Sequence, residues 1–372
     1  MAAATLRGNH AHSIDPPRRP AMRIAIRQTL LLASGLLVSF QLLAAQAGWR
    51  QISIPGATPD AAPTVVALYY PTQATARATP MGPFTVQAAI QAAPEDKVKG
   101  LIVLSHGVGG TELGHGSIAE ALARDGYLVA ALRHPGDNWQ DGSLLKKGAA
   151  AYFTERPKQV SRVIDALLQD PQWKDRIASD AEGFRIGAVG HSAGGYTVLA
   201  LAGGQADLSR IRKHCEDERA ADPIFCGVNR NNAPAAQQTV TPAAAPASLL
   251  PSLRDPRVRA IVLLAPAGVP FTAASLADVR VPTQIYEAEK DRFLVPRFHA
   301  EWIARNMPKA ELHRVPDAWH FAFMDTPAMA IQTDDGNIAD DPPGFDRKAF
   351  LARLGQEIPA FFDKALPVAS RP

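Results

Sequence analysis

The chain has 372 residues with 39 basic and 36 acidic side chains, a formal charge of +3. Residues 1–47 hold five Arg and one Asp, so the chain after Ala47 carries 34 basic and 35 acidic side chains. That balance argues against nucleic acid or an anionic membrane as partner, and the length suits one large domain with a buried core. From Met22 the sequence reads Arg23, Arg27, an apolar run from Leu30 to Ala45, then Ala45-Gln46-Ala47 before Gly48-Trp49. A basic segment, an apolar segment and an A-x-A site together make a secretory signal. The expectation is a presequence over 1–47, with Met22 as an alternative start, and a single domain over 48–372 that is periplasmic or secreted. The apolar run is short for a membrane span, an uncleaved anchor being the other reading, and no stable span is expected after cleavage. Arg18-Arg19 matches only the dipeptide of a twin-arginine signal. No Cys lies near the cleavage site to carry a lipid.

Beyond Trp49, Ile52 to Pro55 and Thr64 to Tyr70 read as strands, with Pro71 ending the second, and residues 72–99 as a connection without assigned structure. Gly100 to Ser105 and Tyr127 to Leu132 are short apolar runs of the kind buried in a parallel sheet. Between them, Ser117 to Arg124 places Ile118, Ala121 and Leu122 on one helical face. Gln159 to Leu168 does the same for Val160, Val163, Ile164 and Leu167, with Pro157 near its start. Arg185 to Val189 and Gly194 to Gly203 continue the strand–helix alternation, which signals βαβ units.

From about Gly204 to Asp255 the alternation stops. This stretch holds Cys215 and Cys226, a charged cluster and an Ala/Pro-rich tract, and reads as an insertion: a lid or a flexible loop. Two Cys in an exported chain favour a disulfide, which would stabilise by roughly 2.5–3 kcal/mol in the chain-entropy model; unpaired thiols are the alternative. Strands then follow at Val258 to Leu264, Thr283 to Tyr286 and Glu311 to Val315, and helices at Arg297 to Arg305 and Phe345 to Phe362.

Gly190-His191-Ser192-Ala193-Gly194 lies between the strand RIGAV and the helix GGYTVLALAG. A G-x-S-x-G sequence in that setting makes a strained turn that lifts the Ser hydroxyl above the sheet edge, with the following helix N-terminus aimed at the site. Side chains at either glycine would collide with neighbouring elements. The Gly-rich loop His106-Gly107-Val108-Gly109-Gly110 follows an earlier strand, and the expected oxyanion donors are the amides of Val108 and Ala193. A Ser nucleophile needs a base, and the base needs an acid to fix its tautomer. His320, after the strand ELHRVP and the turn Pro316-Asp317-Ala318-Trp319, is the expected base. Asp291 is the expected acid, with Glu289 the alternative and Glu287 still inside the strand. His106, His134, Trp139 and His191 are candidates to line a pocket, although Asx turns account for Asp137 and Asn138 about as well. Asp334 to Asp341 lacks the alternating ligands and closing Glu of a calcium loop. Neither zinc-ligand spacing nor a G-x-G-x-x-G fingerprint is present, so neither metal nor cofactor is expected.

LSHGVGG, HPGDNW at His134 to Trp139, GHSAGGYTVLALAG, AEKDRFLVP and DAWHFAF together resemble the bacterial group described as predicted dienelactone hydrolases, which is similar to platelet-activating factor acetylhydrolases. The resemblance runs from about Trp49 to Phe362. It implies an α/β-hydrolase fold: a mostly parallel central sheet, helices on both faces and a lid-like insertion. It also implies Ser192, Asp291 and His320 as triad, with Val108 and Ala193 as oxyanion donors. Two departures stand out. Dienelactone hydrolases use a Cys nucleophile where this chain has Ser192, and the plasma-type acetylhydrolases carry their acid where this chain reads Leu264-Ala265-Pro266. The resulting expectation is hydrolysis of a small-molecule ester, short-chain or lipid acetyl, through an acyl-enzyme. Acyl transfer on the same triad, or ligand binding without catalysis, are the alternatives.

Overall fold

The computed structural model describes residues 45–227 and 248–367; all but the last three residues of the expected 1–47 presequence, the Met22 start and the centre of the 204–255 insertion lie outside them. In chain order the first elements are β1 (Gln46–Ile54), β2 (Thr64–Thr72), β3 (Arg77–Met81), β4 (Phe84–Ile90), β5 (Leu101–Ser105), α1 (Gly116–Arg124), β6 (Leu128–Arg133), α2 (Ser143–Lys146) and α3 (Ala149–Gln169). They are followed by β7 (Ser179–Asp180), β8 (Gly183–Phe184), β9 (Ile186–His191), α4 (Ala193–Leu201) and α5 (Leu208–Asp217). The remainder is β10 (Val258–Leu264), α6 (Ala273–Ala277), β11 (Thr283–Ala288), α7 (Ala300–Asn306), β12 (Glu311–Val315), β13 (Gln332–Thr333), β14 (Gly336–Asn337) and α8 (Arg347–Ala365).

Ten of the described strands form one sheet in the order β12-β11-β10-β9-β5-β6-β2-β1-β4-β3. From β12 to β6 every pairing is parallel; β2 runs antiparallel to β6. The central strands are buried on both faces, which is why they read as unbroken apolar runs. On one face Ile118 and Leu122 of α1 meet Leu354 and Phe362 of α8 against Ala67, Val129 and Val262. On the other, Val160, Val163, Ile164 and Leu167 of α3 and Val198 of α4 cover Val103, Ala188 and Leu263. None of the described helices is long and apolar enough to cross a membrane.

Three expectations need correction. Pro71 does not end β2, which continues to Thr72; Pro71 sits opposite Ala47 and its carbonyl accepts the Glu95 N–H at 2.9 Å, so the strand end is anchored without a proline donor. Residues 72–99 contain the β3–β4 hairpin, whose turn places Gly82 at φ +60°. Its inward positions Phe84, Val86 and Ala88 alternate with exposed Thr85 and Gln87, a half-buried edge pattern. Finally, α3 starts at Ala149, so Pro157 is inside it rather than near its start. A mid-helix proline leaves the carbonyl four residues earlier without its donor. Here that carbonyl, Phe153 O, accepts the Tyr196 hydroxyl from α4 at 3.1 Å.

Two boundaries also bear on the sequence reading. β1 begins at Gln46, and Ala47 is fully buried, so cleavage after Ala47 would shorten β1 by two residues. The described part of the insertion is not loop throughout: α5 is capped by Asp207, whose side chain accepts the Ser209 N–H, and Ala206 and Leu250 are buried.

Candidate active site

The C-terminal ends of β5, β9, β11 and β12 carry the residues of interest, the edge at which open parallel sheets place their ligands. Between β9 and α4, Ser192 has φ 57° and ψ −118°, a strained conformation for a residue with a side chain. The surroundings hold it there. Its N–H donates to Leu264 O at 2.9 Å, and its carbonyl accepts from Ala267 N at 3.1 Å and Tyr196 N at 3.2 Å. A Cβ at Gly190 would lie 2.1 Å from Gly194 O, and one at Gly194 would lie 1.9 Å from Ser105 O. The turn therefore admits no side chain at either position, which is what the two glycines of the pattern are for.

β11 leads into the loop with Glu289 and Asp291, and β12 into the turn with His320. Asp291 Oδ2 and His320 Nδ1 are 2.7 Å apart, and both residues are buried. Asp291 Oδ1 accepts the amides of Phe293 and Leu294, each at 2.8 Å, so both carboxylate oxygens are fixed. The Phe293 ring stacks on the His320 ring at 5.1 Å between centroids. Glu289 is exposed and accepts the Asp317 N–H at 3.0 Å, while Glu287 is buried beside Arg314 at 3.4 Å. Of these three carboxylates Asp291 is the one that reaches His320. With Nδ1 engaged, His320 Nε2 is the nitrogen left for other partners; in ligand-free sites such contacts are often loose and tighten on binding.

The loop 106–110 packs directly on Ser192: a Cβ at Gly107 would lie 3.1 Å from Ser192 Cβ. Val108 is 45% exposed, and neither its amide nor that of Ala193 donates to a described residue. Behind the loop lies a fully buried ion pair, Arg156 of α3 with Asp137. Asp137 Oδ1 accepts the Gly109 N–H at 2.9 Å and Oδ2 the Tyr152 hydroxyl at 2.8 Å. Arg156 also donates to His106 O, and to Thr197 Oγ1 at 3.1 Å. The guanidinium thus ties the start of the loop to α4, and the carboxylate ties its middle. Burial pushes the Asp137 carboxyl up, but Arg156 and the Gly109 amide together hold it below the usual carboxylate range.

The other pocket candidates are part of the same scaffold, with one exception. His106 Nε2 accepts the His134 N–H at 3.1 Å, which leaves Nδ1 as the donor to Gly107 O at 2.6 Å. His134 bridges Gln159 Oε1 at 2.6 Å and Ser105 Oγ at 2.8 Å. Both rings are buried and line no open surface, and burial with the Arg156 charge lowers His106 to about 4 and His134 well below its ordinary value. His191 is buried too, with Nε2 at 2.9 Å from His320 O. Trp139 is the exception: it is 64% exposed, its backbone N–H donating to Gly110 O at 3.2 Å.

Cys215 and Cys226 are joined as a disulfide. The segment it closes contains Asp222, fully buried, whose Oδ2 takes His214 Nε2 at 2.8 Å and His299 Nε2 at 2.9 Å. His299 Nδ1 accepts the Gly268 N–H at 3.1 Å, next to the Ala267 amide that holds the Ser192 carbonyl. Sequence reasoning missed Arg156, Asp222 and His299, because the Arg156–Asp137 and Asp222–His299 pairings join residues 19 and 77 positions apart.

Fold and site together define a hydrolase of the α/β type: a mostly parallel sheet, a serine on a strained strand-to-helix turn and an aspartate–histidine pair on the loops after later strands. The family model for the alpha/beta hydrolase family matches residues 102–331, more than half of the chain, and the protein belongs to that family. No curated protein matches the sequence significantly. Among solved structures, a ferulic acid esterase from Streptomyces cinnamoneus superimposes with a TM-score of 0.54 at 20% identity, covering 90% of this chain and 94% of the other. At that identity the likeness is one of fold.

Proposed function

We propose that this α/β hydrolase is a serine esterase that works through an acyl-enzyme. The carrying observation is the 2.7 Å Asp291–His320 contact, with the His320 carbonyl 2.9 Å from His191 Nε2, the residue before a serine held at φ 57° on the elbow turn. His320 Nε2 takes the Ser192 proton, Ser192 Oγ attacks the ester carbonyl, and the alcohol leaves with the proton returned by His320. Asp291 fixes the Nδ1–H tautomer and stabilises the imidazolium. Val108 and Ala193 amides receive the oxyanion, aided by the N-terminal dipole of α4. Water, activated by the same histidine, then releases the acid.

The substrates we propose are short-chain carboxylic or lipid acetyl esters, as in the dienelactone hydrolase and acetylhydrolase group that the motifs resemble. Export to the periplasm or medium is part of the same reading, supported by the Cys215–Cys226 pairing. The test is a series of p-nitrophenyl esters from acetyl to long-chain, with a feruloyl ester and an alcohol acceptor added, run on wild type and Ser192→Ala. Hydrolysis of the short esters by wild type alone supports the reading. Equal rates for the two proteins remove it, and ester formation with the added alcohol would move the activity to acyl transfer.

A further inference from the structure

We propose that His191 is a positioning residue that ties the turn carrying His320 to the elbow carrying Ser192. The proposal rests on the Ser192–His320 reading and adds a residue to it. His191 ends β9, one position before Ser192, and its Nε2 lies 2.9 Å from the carbonyl oxygen of His320, 129 residues further along the chain. A carbonyl only accepts, so Nε2 carries the proton. This bond is one direct polar link between the two loops: it fixes the backbone of the base relative to the backbone of the nucleophile. Asp291 fixes the ring of the base by its Nδ1. Ring and main chain of His320 are thereby held by separate partners.

The environment of His191 suits a neutral donor that never titrates during turnover. Its other nitrogen, Nδ1, is buried without a hydrogen-bond partner among the described residues. It lies 3.5 Å from where a Gly107 Cβ would sit, and Ser192 Oγ lies 3.6 Å from the same point, so the Gly107 position borders both groups at van der Waals distance. The groups facing the ring are His320 at 4.9 Å between centroids, His115 at 5.1 Å and Phe323 at 6.0 Å. No carboxylate stands among these ring contacts to stabilise a second positive charge. Burial first, then the neighbouring His320 and His115, keep His191 well below the ordinary histidine range. When His320 becomes an imidazolium in the reaction, His191 stays neutral and its N–H stays on the carbonyl.

Glutamine and asparagine separate this role from packing. The Gln amide nitrogen reaches the level of Nε2, whereas the Asn amide reaches only that of Nδ1. H191N and H191F should lower kcat about 10- to 100-fold with KM nearly unchanged, as expected when a catalytic group is misplaced by a fraction of its working distance. H191Q should keep most of the turnover. Equal behaviour of the Gln and Asn variants, wild-type turnover in all three, or a loss confined to KM would overturn the proposal. A second measurement needs no substitution. In ¹⁵N-histidine-labelled full-length protein at neutral pH, His191 should be the neutral Nε2–H tautomer, and an Nδ1–H tautomer would overturn the proposal. If wild type cleaved no ester and Ser192 took no active-site label, the triad reading would fall by itself, whatever the tautomer.

Discussion

Replacing Arg156 by Met keeps an unbranched side chain as far as the level of Nε and removes the cation paired with Asp137 among the described residues. Both members of the pair are fully buried. The variant strands the carboxylate with only the Tyr152 hydroxyl and the Gly109 amide, and breaks the bonds to His106 O and Thr197 Oγ1. Removing one partner of such a pair destabilises by about 3–5 kcal/mol, since the remaining charge is buried and uncompensated. At about 2–3 °C per kcal/mol for a large domain, the melting temperature should fall by roughly 6–15 °C. Turnover per folded molecule should also fall about 10-fold or more, because the 106–110 loop that presents the Val108 amide loses its anchor. In R156M/D137N both charges are gone, so at least about 2 kcal/mol of the stability should return. Calorimetry and acetyl-ester kinetics on wild type, both single variants and the double variant measure these values. A single variant within 1 kcal/mol of wild type, by the standard of what breaking a buried pair costs, would refute the argument, as would strict additivity in the double variant.

The other expected outcomes are simpler. Asp291→Asn should reduce turnover on the order of 10⁴-fold, as in the best-studied triad, and Glu289→Gln should change little; steady-state kinetics ranks them, and the reverse order would move the acid. Glu120, on α1, is raised to about 7 by burial and then by the Asp325 charge, against the Gln87 N–H and Arg124. Its folded value lies above its unfolded one, so the native state holds the proton more tightly and loses stability as pH rises through 7. Gln at 120 does not titrate, so the stability of E120Q relative to wild type should increase from pH 5 to pH 8.5; a gap that stays constant in denaturant titrations contradicts this. Replacing Cys215 and Cys226 by Ala should cost about 3 kcal/mol in the chain-entropy model. Limited proteolysis of that variant should cut first between Gly204 and Gly227, and first cuts inside the sheet would contradict the docking of this segment through Asp222.

The parallel core and the elbow were legible because each rests on local pattern. Strands such as LIVLS and the run from Val258 to Leu264 are apolar throughout, since helices cover both faces of the sheet. The glycines at 190 and 194 stand where any side chain would collide. The β3–β4 hairpin was not legible, because β3 has no buried residue and the alternation in β4 is brief. Pro157 read as a helix start, and the Tyr196 hydroxyl, from a different helix, satisfies the carbonyl that the proline leaves without its donor. Arg156 and Asp222 look like surface charges in one dimension. Their meaning comes from partners 19 and 77 residues away, to Asp137 and His299, which no periodicity encodes. In the site itself the choice between Asp291 and Glu289 turned on which way a short loop curls, and that is fixed by the Phe293 and Leu294 amides closing on Asp291.

In the proposed mechanism Ser192 is a nucleophile activated by His320. The most direct measurement is labelling of the intact protein with a fluorophosphonate, followed by mass mapping of the modified peptide. One equivalent of label is expected, on Ser192 alone, with the rate collapsing in a His320→Ala variant that keeps the wild-type melting curve. Label on another residue, or labelling of Ser192 at an unchanged rate without His320, would contradict the mechanism.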